Sequence, residues 1–294
     1  MYKKLSIIFI SLLNIHNAYA EPFKVGVILP LSGPVAPFGE AAKSGLEMSG
    51  KENTESVIEY IFEDSRYDPK TSITAFNKLS DIDKPNLIIS WGTGPSGAIA
   101  PIAEARKTPT ILISGDPEIN KNKKYVIDFV NNPLDFSKTQ IDFIRGKGHK
   151  KIAVIKTEIQ YLEAFLKSIQ NNLQKDESIN IIDSFQPDSS VNFQTAITKI
   201  KVGIKQGNID VLAVLLGNGQ VGSFYKKMAE QKILLPTFGS DVLSSKAERT
   251  AGGSAITGAT FAGISINDNF KAKFDENNSD QIAPAANSYD LATL

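Results

Sequence analysis

The 294-residue chain carries 32 basic and 32 acidic side chains, two histidines and no cysteine. This composition excludes disulfides, a thiolate nucleophile, a cysteine metal cluster, a cysteine-linked lipid anchor and a histidine-rich metal site. The balanced charge carries no basic stripe, so nucleic acid is not an expected partner. Such a length accommodates one large domain or two of half the size.

The first element is an export signal. Lys3 and Lys4 precede an apolar run over residues 5–13, and Ala18-Tyr19-Ala20 has the small-x-small form of a cleavage site. The run is much shorter than a membrane span, so the reading is a secretory signal cut after Ala20. The remaining chain has 30 basic and 32 acidic side chains. It is expected to be periplasmic and soluble.

Beyond the signal, two periodicities alternate. Strands are predicted over 24–31, 56–63, 86–91 and 110–114, with helices over 36–50, 69–79 and 96–105. Residues 126–130 begin a crossing region, and the polar, proline-bearing stretch NNPLDFSK at 131–138 reads as a joint. A second series then repeats the layout. Strands fall at 151–156, 180–185, 209–216 and 235–239, and helices at 160–174, 193–201 and 220–231. A further strand is expected at 257–264, and residues 270–294 read as helical around a polar break at 276–280. His149 falls in the polar turn 146–151. Strands alternating with helices of about three turns predict largely parallel sheets covered by helices. Two α/β lobes are the simplest arrangement, and a single doubly wound sheet is the alternative.

The turn after the third strand bears chemistry. Gly92, Gly94 and Gly97 spell G-x-G-x-x-G, and Asp116 lies nineteen residues further on. That pattern suits a dinucleotide-binding oxidoreductase. It normally opens the first βαβ unit, however, and here it follows the third strand. An exported chain would also have to acquire the cofactor, so no cofactor is expected. The same physics serves a smaller anion. Thr93 and Ser96 could hold a carboxylate at the helix start, or could be plain N-caps. No nucleophile–base pair, metal cluster or carboxylate pair with defensible placement emerges, so a binding protein rather than an enzyme is expected.

Several segments together resemble the periplasmic substrate-binding proteins of branched-chain amino-acid ABC transporters, within the type I bilobal group. They are VGVILPLSGPVAPFGEAAKSG at 25–45, EDSRYDPKTSITAFNKL at 63–79, PIAEARKTPTILIS at 101–114, KIAVIKTEIQYLEAF at 151–165, VNFQTAITKIK at 191–201 and NSYDLATL at 287–294. The resemblance implies two α/β lobes joined by crossing strands: a first lobe over 21–131, a second over 132–250, and a return to the first over 251–294. It implies ligand held between the lobes, and an inner-membrane ABC permease as partner. A sensing module of a signalling system keeps the same fold and is the alternative.

The resemblance also assigns residues. It places Thr93, with Ser96, on a ligand carboxylate, and Ser114 and Asp116 on the ammonium. The turn at 114–116 is about two residues shorter than in the family, and Asp116 could equally be a turn residue. Tyr161 is the aromatic that closes the second lobe, or a packing residue. Asn218 could supply an amide. Asp241 matches the acid that receives the ammonium from the second lobe, with N-capping of the following helix as the alternative. Phe38 and Trp91 are expected as walls of an apolar side-chain pocket, or as core. The family continues beyond the YD-containing helix, whereas this sequence stops at Leu294, so the return is expected to be truncated.

Overall fold

The computed structural model describes residues 22–52, 57–129, 133–187, 191–274 and 281–293. The expected signal segment lies outside these residues, as does the polar break at 276–280.

The chain builds two lobes in succession. The first contains β1 (Phe23–Leu29), α1 (Ala36–Glu52), β2 (Ile58–Asp64), α2 (Pro69–Lys78), β3 (Leu87–Trp91), α3 (Thr93–Arg106), β4 (Thr110–Ile113) and β5 (Val126–Asp128). The second contains α4 (Pro133–Gly146), β6 (Lys151–Thr157), α5 (Gln160–Asn171), β7 (Ser178–Phe185), α6 (Gln194–Lys205), β8 (Val211–Leu215), α7 (Val221–Glu230), β9 (Thr237–Gly239), α8 (Lys246–Gly252) and β10 (Thr260–Phe261). Two helices follow, α9 (Asp268–Lys273) and α10 (Ile282–Leu291). Among the described residues no helix is long and apolar enough to cross a membrane.

Each lobe has one five-stranded sheet, and every strand pair in both is parallel. The orders are β2-β1-β3-β4-β5 and β10-β9-β8-β6-β7. Counted from its own first strand, the second sheet repeats the order of the first. The two sequence series are therefore two copies of one topology, and a single doubly wound sheet is excluded. In this topology the chain reverses direction across the sheet between the first and third strands, and the crevice at their carboxyl ends is the natural ligand site. Here that places the loops after β1, β3, β6 and β8 around one cleft.

Parallel strands covered on both faces need apolar residues throughout, and β8 (VLAVL) is buried at all five positions. In β1 the side chains alternate. Ile28 joins Phe76, Ile88 and Leu112 under α2 and α3, while Val27 and Leu29 join Leu46, Ile89 and Leu291 under α1 and α10. Asp68 starts α2 by accepting the Thr71 N–H at 2.7 Å, with Pro69 at the first helical position.

Three expectations need correction. Residues 126–128 are not a bare crossing but the edge strand of the first sheet. The stretch read as a polar joint contributes the start of α4, because Pro133 occupies the first helical position, where its missing N–H is not needed. The return to the first lobe comes after Phe261 rather than at 251, since β10 still pairs with β9. From there Phe270, Phe274, Ala285 and Ala286 pack on Ala41 of α1. Gly45 makes that docking possible. A Cβ on it would stand 2.1 Å from the Ala285 carbonyl oxygen.

Candidate functional site

The carboxyl ends of both sheets meet. On the first-lobe side, β3 ends at Trp91 and the chain turns through Gly92 (φ 97°) straight into α3. Thr93 is thus the first helical residue, three positions before the expected start. Its hydroxyl accepts the Gly115 N–H at 3.0 Å, and it is 2% exposed. Ser96 lies inside the helix and is fully buried. Its hydroxyl turns back to the Ser90 carbonyl at 3.2 Å, so it anchors α3 to β3 and does not face the cleft.

The turn after β4 is internally bonded. Ser114 is buried. Its N–H donates to Asp128 Oδ1 at 3.2 Å, and its hydroxyl accepts the Asp116 N–H at 3.1 Å. Asp116 behaves as a turn residue through Oδ1, which accepts the Glu118 N–H at 3.0 Å. Its Oδ2 lies 3.5 Å from Gln160 Nε2 of the second lobe. Asp128 stands at the carboxyl end of β5. Burial pushes its carboxyl up to about 7, with the neighbouring Asp116 adding to the rise against the Ser114 and Phe129 N–H groups.

From the second lobe, Tyr161 lies on the bare backbone of Gly115. A Cβ there would stand 2.5 Å from Tyr161 Cδ2. The Tyr161 hydroxyl donates to Asp241 Oδ1 at 2.8 Å. Asp241 follows β9. Ser240 supplies the side-chain cap of the 3-10 turn that starts there, at 3.4 Å from the Val242 N–H. Burial raises the Asp241 carboxyl, opposed by Tyr161 and the N–H groups of Asp241 and Val242. None of the ion pairs among the described residues uses Asp241. Phe38 is buried, with its ring 5.9 Å from Trp91. Asn218 is half-buried in the loop after β8. Behind that loop, the buried Glu248 accepts the N–H groups of Gly219 and Gly222, the latter at 2.8 Å. The neighbouring Gln220 is engaged by the Thr157 hydroxyl and the Gln186 carbonyl.

Tyr67 belongs to the same constellation and escaped the sequence reading. It follows β2, beside β1 in the sheet. Its ring covers Gly92, where a Cβ would stand 2.5 Å from Tyr67 Cε2, and packs on Trp91 at 6.0 Å. Burial raises its phenol, Asp241 adds to the rise, and the nearby Thr93 backbone N–H pulls the other way. The ring covers Gly92, the first glycine of the G-x-G-x-x-G run, while a Cβ on Gly94, the second, would meet only Pro69 Cγ at 3.9 Å. Among the described residues no group of three or more His, Cys, Asp or Glu gathers as a metal site.

Comparison with known proteins follows the same lines. A family model described as periplasmic binding protein matches residues 22–293. The Leu/Ile/Val/Thr-binding protein of Salmonella typhimurium is 26% identical over 180 residues, covering 57% of this chain and 48% of its own length. The Leu/Ile/Val-binding protein of Citrobacter freundii is 25% identical over 197 residues, covering 63% and 53%. The chain spans about half the length of these curated relatives. A leucine binding protein from Thermotoga maritima superposes with a TM-score of 0.80 at 19% identity, covering 92% of this chain and 80% of that one. A solute binding protein from Rhodopseudomonas palustris in complex with benzoate gives 0.75 at 20% identity, covering 92% and 79%. At these identities the structures share the fold.

Proposed function

The chain belongs to the periplasmic binding protein family, and on that premise we propose that it is the exported substrate-binding component of an ABC importer. It holds a small ligand between its lobes and presents the closed form to a membrane permease. The observation that carries the ligand class is Asp241. A partly buried carboxylate with a tyrosine hydroxyl at 2.8 Å and, among the described residues, no cationic side chain paired to it suits a protonated amine. Phe38 and Trp91 offer an uncharged aromatic wall to the rest of the ligand. Branched-chain and other apolar amino acids are the first compounds of this kind to try, in keeping with the names of the Leu/Ile/Val-binding relatives. Thr93, Ser114, Asp116, Tyr161 and Asn218 frame the cleft, with Tyr161 reaching across from the second lobe.

Contacts from both lobes make ligand binding and closure one equilibrium, and no bond is made or broken. Trp91, the one tryptophan of the chain, sits in the cleft and reports closure by its fluorescence. Calorimetric titration with leucine, isoleucine, valine, phenylalanine and their decarboxylated amines tests the proposal. Heat, a Trp91 signal and thermal stabilisation with a member of this panel support it. A folded protein that responds to none of them refutes the amine assignment.

A further inference from the structure

Resting on the reading of a two-lobed receptor, we infer that Glu248, behind the cleft, positions the second lobe's share of the binding site. Its carboxylate serves as a built-in anion at the start of α7 and fixes the loop that carries Asn218. That loop, Gly217-Asn218-Gly219, leaves β8 and leads through Gln220 into α7. Gly219 sits at φ 86°, where a side chain would be strained. A Cβ on Gly217 would stand 2.9 Å from Ile159 Cδ1, so the loop lies against the turn that leads into Gln160 and Tyr161. Glycines on both sides give Asn218 no stiffness of its own. Among the described residues no hydrogen bond engages the Asn218 side chain, which leaves its amide for a ligand.

The start of α7 is not capped from within. Gln220 occupies the capping position and makes no side-chain bond to the helix. Its amide oxygen accepts from the Thr157 hydroxyl, and its amide nitrogen donates to the Gln186 carbonyl at 3.1 Å. The Thr157 hydroxyl in turn accepts the Gly217 N–H at 3.0 Å. These bonds fasten the near end of the loop and leave the N–H groups at the helix start. Glu248 takes them. One carboxylate oxygen accepts the Gly219 N–H, and the other accepts the Gly222 N–H at 2.8 Å. Glu248 is 3% exposed and forms no ion pair among the described residues. Its charge therefore rests on these N–H groups and on the positive end of the helix.

The approach depends on bare backbone. A Cβ on Gly222 would stand 2.6 Å from the Glu248 carbonyl oxygen and 2.6 Å from Ala251 Cβ, so α8 crosses the start of α7 with nothing between them. α8 follows the 3-10 turn that opens with Asp241. The Glu248 bonds thus tie the Asn218 loop to the segment that carries Asp241, and the two keep a fixed spacing at the cleft.

The test follows wild type, Glu248→Ala and Glu248→Gln by hydrogen exchange of the Gly219 and Gly222 amides and by calorimetric titration with leucine and with 3-methylbutylamine. Each is measured in acetate and in chloride at the same ionic strength. In Glu248→Ala both amides are expected to exchange about tenfold faster than in wild type. Affinity for the compound that wild type binds is expected to fall by about tenfold. Acetate is expected to enter the vacated place and restore both, measured against wild type in the same acetate. Glu248→Gln keeps the shape with one acceptor fewer and is expected to lie between. Affinity of folded Glu248→Ala within about twofold of wild type, or a loss that acetate leaves in place, overturns the positioning role. Should Glu248→Ala fail to fold, Glu248→Gln decides, and amide exchange and affinity equal to wild type overturn the role. Binding of neither compound to folded wild type overturns the amine reading instead. Exchange of Gly219 and Gly222 with and without acetate then still decides what holds the loop.

Discussion

Replacing Asp128 by asparagine removes an anion from the carboxyl end of β5 while keeping an oxygen for the Ser114 N–H. In the fold this carboxyl titrates at about 7 instead of the ordinary 3.8, chiefly because burial disfavours its charged form. Each tenfold change in protonation corresponds to about 1.4 kcal/mol, so a fully shielded anion would cost about 4 kcal/mol. Asp128 is only half-buried, and solvent screening reduces this to about 2 kcal/mol. The sign follows from linkage. The folded-state value lies above the unfolded one, so the fold binds an extra proton between about pH 4 and pH 7. The penalty is absent below about pH 4 and complete above about pH 7. Asp128→Asn should therefore be about 2 kcal/mol more stable than wild type at pH 8, a rise of about 5 °C in Tm. The difference should shrink steadily toward about pH 4. Urea unfolding of both proteins, followed by far-UV circular dichroism across that range, measures it. The difference between the two proteins is the quantity to read. Asp64, Asp68 and Glu177 are all held below their ordinary values and tilt both curves the other way. A variant less stable than wild type at pH 8, or a difference that does not change with pH, would refute the reasoning.

Two further substitutions test the packing that frames the cleft. Gly45→Ala forces a methyl to 2.1 Å from the Ala285 carbonyl oxygen, and both sides are backbone, so α1 and α10 must separate. A loss of about 2–3 kcal/mol in urea unfolding is expected, and wild-type stability would show that the helices are not docked this closely. Gly115→Ala places its methyl 2.5 Å from the Tyr161 ring, on the path of lobe closure. Ligand affinity should fall by about tenfold, with less compaction on binding in small-angle scattering, while stability without ligand stays within about 0.5 kcal/mol. Affinity within about twofold of wild type would remove Tyr161 from the closing contact.

The strand–helix alternation was legible because parallel strands covered on both faces read as continuous apolar runs, as in Val211–Leu215. Pairing order was not legible, because it joins residues far apart in the chain. A strand was read over 257–264, but only residues 260–261 pair, and nothing in that run says that the partner is β9. Pro133 misled because the same residue breaks a helix inside and opens one at its first position. Ser96 misled by three residues of helix start. A glycine at φ 97° lets β3 turn directly into α3, so the candidate cap became a buried anchor. Tyr67 had a faint signal. It is the one aromatic in the polar loop between β2 and Asp68-Pro69, which start α2. Only the neighbouring position of β2 and β1 in the sheet brings it to the cleft. Asp241 and Tyr161 were singled out separately, but their 2.8 Å bond depends on the second sheet folding β6 and β9 toward the same end.

The arrangement also bears on why closure should need a ligand. Bringing Tyr161 onto Gly115 and Gln160 toward Asp116 takes Asp241 out of water among phenols and backbone N–H groups, with no ion pair among the described residues. That withdrawal is what raises its carboxyl, and the same free energy opposes closing the lobes over nothing charged. An ammonium in the cleft reverses the sign. It favours the ionised carboxylate, and the aromatic faces around it add their attraction. A neutral or anionic compound of equal size supplies neither and leaves the penalty in place. Selectivity and closure therefore draw on one group. Acid should weaken amine binding, because a protonated Asp241 must first release its proton before it can pair with the cation.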